Sequence, residues 1–272
     1  MRRERCAVLA VWRARERYLV RAFVLNDRMK RILLGLVALS GALGVATSTA
    51  SAKIVEIGAS ATPVTPSCPD DCVVVTKTTA LQVSTAGKNY PTTVSANGRI
   101  VALTVQLGSL TVSQVRRLNA AYGGTPRVQL TVLSQDSRQK PKRFFTAKAQ
   151  SEVFRVTDYL GTTAQFALER SLEVRKGDFI ALTVPTWAPA LAANLDENNS
   201  WRASRTSRCT DSETFLTQTA QLILDREAQY KCIYRTAKVT YSATMITTPT
   251  ARKLEDDESS RRTTTRRTTT TR

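Results

Sequence analysis

The chain contains no histidine. That absence removes Ser-His-Asp and Cys-His catalysis, imidazole metal ligands and the histidine pH switch. Acidic residues are scarce, 22 against 40 Lys and Arg in 272 residues, which leaves a formal charge of +18. No Gly-rich loop of the phosphate-cradling kind is present. The longest uncharged apolar run, Ile32 to Ala46, falls short of the roughly 20 residues that a membrane-spanning helix needs. What remains, 42% hydrophobic and 23% charged residues, is the composition of a chain that folds, and its length suits one or two domains.

That apolar run has a different use. Met29-Lys30-Arg31 precedes it, and a small-residue stretch ending Ala50-Ser51-Ala52 follows it. A basic start, a short apolar segment and an A-x-A site make a secretory signal peptide, so residues 1–52 are expected to be a leader cleaved after Ala52. Residues 1–28 carry eight arginines and resemble neither a membrane span nor a packed helix. Since Met29-Lys30-Arg31 is a complete n-region, translation is expected to start at Met29. Without residues 1–52 the charge falls to +11, and the stretch up to residue 250 carries +8. Much of the basic excess therefore sits outside the folded region. Nucleic acid, which wants a basic face on a folded module, is not an expected partner.

Export also changes the meaning of the cysteines. Cys6 belongs to the leader, and Cys68, Cys72, Cys209 and Cys232 remain, an even number in an oxidising compartment. Four cysteines allow three pairings. Cys68–Cys72 is preferred because Cys68-Pro-Asp-Asp-Cys72 contains its own turn, and Cys209–Cys232 would tie a long loop to a late strand. The alternatives are a Cys₄ metal site or a redox pair. C-x₃-C with two isolated cysteines is poor zinc spacing, and neither a metal nor a cofactor is expected.

Alternation of apolar and polar residues dominates residues 53–249, the mark of half-buried strands. In Arg99 to Leu107 the residues Val101, Leu103, Val105 and Leu107 fall on one face. Val128, Leu130 and Val132 repeat the pattern, as do Val239, Tyr241, Ala243 and Met245. Shorter candidates are 54–57, 72–76, 144–147, 153–156 and 164–168. Leu172-Glu173-Val174 and Phe179 to Val184 flank Arg175-Lys176-Gly177-Asp178, which reads as a hairpin. One segment departs from period two. Val112, Val115, Leu118 and Tyr122 are three or four apart, Thr111 and Gln114 can form a capping box, and Gly123-Gly124 with Pro126 ends the run, so a helix is predicted over 112–122. The expected fold is all-β, an antiparallel two-sheet β-sandwich of jelly-roll type with one short helix. From residue 250 the chain turns charged and then to Arg and Thr alone, which predicts a disordered tail.

Chemistry is harder to place. Asp70-Asp71 and Asp196-Glu197 read as solvated turns, and Asn194 to Asn199 lacks the spaced ligands of a calcium loop. The many Ser and Thr have no histidine base. An enzyme is not expected. The stretch Pro185 to Ser212 has no strand pattern, and loops of this length are usually functional or disordered. It carries Trp187 and Trp201, whose indoles can either pack under the loop or offer a face to a sugar ring. Arg202 and Arg205 can anchor a carboxylate or phosphate, or can pin the loop by pairing with Asp196, Glu197 or Asp211.

At Leu182-Thr183-Val184-Pro185-Thr186-Trp187-Ala188-Pro189, Trp201-Arg202-Ala203-Ser204-Arg205, Cys209 and Tyr230-Lys231-Cys232, the chain resembles uncharacterised secreted β-sandwich proteins of actinobacteria. The resemblance spans about residues 54–247 and implies fold and export, with no assigned activity. Together these features predict a secreted, non-catalytic binding module for carbohydrate or an anionic envelope polymer. A structural envelope or assembly protein is the second expectation, and a glycoside hydrolase a distant third.

Overall fold

A computed structural model describes residues 51–60, 63–70, 72–136, 143–207, 209–210 and 219–249. Cys6, the predicted leader up to residue 50 and the predicted tail from residue 250 lie outside the described residues. The described part is mostly β, all its pairings are antiparallel, and it has one α-helix.

The elements in chain order begin with β1 (Ile54–Ile57), β2 (Val75–Thr85), β3 (Lys88–Asn89), β4 (Gly98–Gln106) and helix α1 (Val112–Tyr122). They continue with β5 (Arg127–Ser134), β6 (Phe144–Gln150), β7 (Phe154–Arg155), β8 (Thr163–Val174), β9 (Phe179–Ala188) and β10 (Leu191–Ala192). The last are β11 (Ser200–Ala203), β12 (Glu227–Gln229), β13 (Cys232–Arg235), β14 (Lys238–Val239) and β15 (Tyr241–Thr247). A four-stranded sheet runs β1-β15-β4-β8. The large sheet runs β12-β6-β5-β9-β2-β11-β13, with β3 on β2 and β7 on β5, and the sheets curl into a half-barrel. A short ladder joins β10 to β14.

The main core lies on one face of β5 and β9, where Val128, Leu130, Val132, Ile180, Leu182 and Val184 meet Leu103 and Val105 of β4 and Met245 of β15. The other face of these strands is buried as well. Leu81, Leu133, Phe145, Ala181 and Tyr230 form a second cluster there. Beside it the hydroxyl of Thr183 bonds those of Thr79 and Thr131 at 2.9 and 2.6 Å. Gln221 crosses this ladder, its backbone N–H donating to Thr79. A strand covered on both faces hides polar groups that must find one another, which is what the threonines do.

Several expectations hold. Helix α1 spans Val112–Tyr122, with both halves of the Thr111/Gln114 capping box formed and Gly123 left-handed at φ +79°. Both disulfides, Cys68–Cys72 and Cys209–Cys232, are present. Others are corrected. In β4 a bulge at Val101 shifts the parity, so Ile100 joins Leu103 and Val105 in the core while Val101 is half-buried. The turn at Arg175–Asp178 closes through Asp178 N–H to Arg175 O at 3.0 Å. However, β8 pairs with β4 and β9 with β5 and β2, so this turn is a crossover between sheets and no hairpin. The stretch from Pro185 is likewise no long loop, since β9 runs on to Ala188 and β10 and β11 follow. Pro185 is accommodated where the β2–β9 register slips between Thr76 and Thr78, a place that needs no ladder hydrogen bond from it.

Candidate functional site

Trp187 and Trp201 do not form a platform. They sit on β9 and β11, the two neighbours of β2, opposite Thr76 and Gln82. Six residues along one strand separate them by about 20 Å. Both rings are buried, at 0% and 4% exposure. The Trp187 indole N–H donates to Gly124 O at 2.9 Å and to Asn119 Oδ1 at 3.2 Å, fastening the end of α1 to the large sheet. Trp201 stacks on Tyr234 with centroids 4.4 Å apart, and its N–H meets no acceptor.

The two arginines are also turned inward. Arg205, 3% exposed, donates to Thr76 O at 2.7 Å and to the Tyr234 hydroxyl at 2.9 Å. The Tyr234 hydroxyl in turn donates to Cys209 O at 2.9 Å, so arginine, tyrosine and the Cys209–Cys232 disulfide form one joint. Arg202 donates to Tyr230 O and Lys231 O at 2.9 and 3.1 Å, and burial lowers its pKa. Trp201 by stacking, and Arg202 and Arg205 through backbone carbonyls and a phenol, thus hold β11, β13 and the disulfide together, while Trp187 ties α1 to β9. Asp196 serves its own turn, accepting from Asn198 N and Asn199 Nδ2, while Asp71 and Asp211 lie outside the described residues.

A different place has the features of a site. A cavity of about 170 Å³ lies between the chain after β1 and the polar face of β14–β15. It is lined by Thr104, Gln106, Thr163, Lys238, Thr240 and Ser242 among others. The alternation that sends Val239, Tyr241, Ala243 and Met245 to the core places Lys238, Thr240 and Ser242 on the opposite face. That face would ordinarily meet water. Here Gly58 takes φ +83°, the left-handed conformation that favours glycine, and residues 58–60, 63 and 64 form the other side of the cavity. Lys238 is left 5% exposed.

Lys238 is the single charged residue among the described residues lining the cavity. No described residue gives its ammonium a hydrogen-bond or ion-pair partner. Desolvation alone accounts for its lowered pKa. Tyr241 has its pKa raised by burial and stays neutral. Thr240 donates to Gln106 O at 2.7 Å, Ser242 donates to a carboxylate oxygen of Glu56, and Thr104 accepts from Gln165 at 3.3 Å, so the frame around the lysine is hydrogen-bonded and fixed. Such an arrangement offers one unspent positive charge to an anion. Sequence reasoning missed Lys238. The available signal was a lysine heading an alternating polar face, Lys238, Thr240, Ser242, Thr244, otherwise made of hydroxyls.

Among the described residues no cluster of three or more Cys, Asp or Glu could hold a metal ion, and no helix is long and apolar enough to cross a membrane. No family model, curated protein or solved structure matches the chain.

Proposed function

We propose that this is an exported, non-catalytic binding module that recognises anionic groups of carbohydrate or cell-envelope polymers. Its two sheets are read as a jelly-roll-like sandwich, akin to the secreted actinobacterial proteins it resembles. Two disulfides support an oxidising destination. The observation that carries the reading is the unpartnered ammonium of Lys238, whose stem is buried and whose charge is partly withdrawn from water at a hydroxyl-framed cavity. A cation partly withdrawn from water and given no partner by the fold gains from pairing with an anion that reaches the cavity. Recognition is accordingly moved from the tryptophans to this cavity.

The test is binding of the folded, disulfide-intact protein to immobilised polyuronate, sulfated dextran and neutral dextran. Binding to the anionic matrices that weakens with salt and drops at least tenfold in Lys238→Met supports the reading. Equal retention on neutral dextran, or an unaffected variant, overturns it. A second reading, a structural envelope protein without a soluble ligand, is favoured by the burial of Trp187, Trp201 and Arg205 in packing. The same experiment decides for it if no matrix retains the protein.

A further inference from the structure

Resting on the binding reading above, we propose that the Lys238 cavity is a site for one carboxylate, carried on a ring or chain no larger than a single sugar, such as a terminal uronic acid. Three observations narrow the ligand. The first is charge. Lys238 is the single cation in the lining, and no arginine fork or helix N-terminus joins it. Phosphate, doubly charged near neutrality and rich in acceptor oxygens, is usually held by several donors of those kinds. A carboxylate needs one cation and few further donors.

The second is the donor supply. The hydroxyls of Thr240 and Ser242 already donate to Gln106 O and Glu56. They present lone pairs rather than hydrogens to the cavity. This suits a ligand that brings its own O–H donors beside its carboxylate, as a sugar acid does. It disfavours a bare oxyanion, whose every oxygen wants a hydrogen. Glu56 itself, engaged by Ser242 and Thr244, makes no ion pair with Lys238.

The third is shape. At about 170 Å³ the cavity has room for several waters, the scale of one sugar ring. Ala59, Pro63 and Val64 supply an apolar side to it, a surface for the C–H face of such a ring. The one carboxylate behind the lining, that of Glu56, has its oxygens engaged by the Ser242 and Thr244 hydroxyls, and the other titratable group of the lining, Tyr241, is held neutral.

A carboxylate at the ammonium stabilises its protonated form, so binding above the depressed amine pKa takes up a proton, and affinity falls as pH rises through that range. Calorimetric titration with sodium glucuronate, glucose, inorganic phosphate and sulfate tests the site. Running it in two buffers of different ionisation enthalpy reads the proton. The expected result is glucuronate binding with no heat from glucose, binding weakened at least tenfold in Lys238→Met, and proton uptake that grows with pH. Should that variant fold poorly, side-chain NMR of lysine-labelled wild-type protein replaces it, and the Lys238 ammonium signal must move with glucuronate. Phosphate or sulfate binding more tightly than glucuronate overturns the carboxylate assignment while leaving the anion reading standing. No anion binding overturns both. Glucuronate binding without any change at Lys238 overturns the site.

Discussion

Replacing each buried tryptophan with phenylalanine should give two different results, because one indole N–H is satisfied and the other is not. In Trp187→Phe the ring loses packing, about 1–2 kcal/mol, from the smaller side chain and the space left behind. It also loses the bonds to Gly124 O and Asn119 Oδ1. Those acceptors are half-buried and water can partly serve them, so their loss adds about 1 kcal/mol. The total is about 2–3 kcal/mol. Trp201→Phe suffers the same packing loss and keeps the stack on Tyr234. It also removes a buried donor that has no acceptor, which returns about 1–3 kcal/mol. The net change should run from a loss of about 1 to a gain of about 2 kcal/mol, centred near zero. For a domain of roughly 200 residues the gap of ~2 kcal/mol corresponds to about 4–8 °C in Tm. Urea unfolding with unchanged m-values, alongside thermal melts, measures both variants. If Trp201→Phe costs as much as Trp187→Phe, the hydrogen-bond accounting is refuted.

Lys238→Met should stabilise the unliganded protein at neutral pH. Because burial lowers the native amine pKa, the unfolded chain binds more protons between that value and about 10.5. Wild-type stability should therefore rise with pH across this window, and the rise should vanish in the variant, as urea midpoints from pH 7 to 10.5 would show. Replacing Cys209 and Cys232 together with alanine opens a loop of separation 23 and should cost about 3 kcal/mol in thermal unfolding. A melting temperature unchanged by the double substitution would contradict the joint built on Tyr234 and Arg205. Thr111→Ala removes the Gln114 N–H acceptor of the capping box and should cost about 1 kcal/mol, read by denaturant midpoint. A Trp187 fluorescence change should accompany it, since that indole holds the far end of the same helix.

What was legible in the sequence was local. Helix α1 could be bounded because a threonine, a glutamine three residues on and a glycine at the end act within one turn of chain. Period two identified most strands, because neighbours along a strand point to opposite faces whatever lies beyond them. The disulfides followed from spacing and parity. Tertiary structure decided everything that depends on what faces what. Alternation could not reveal the bulge that puts Ile100 rather than Val101 in the core, nor that β8 and β9 leave the same turn for different sheets. Pro185 disguised a continuing strand as a loop because its position beside a slipped register is set by β2, more than a hundred residues earlier. The same limit governed function. Tryptophan and arginine are binding residues only where their faces meet solvent, and here neighbouring strands claim them. A lysine on a polar face reads as solvated until other residues cover it, and those that do, Gly58, Ala59, Ser60, Pro63 and Val64, come from the opposite end of the folded chain.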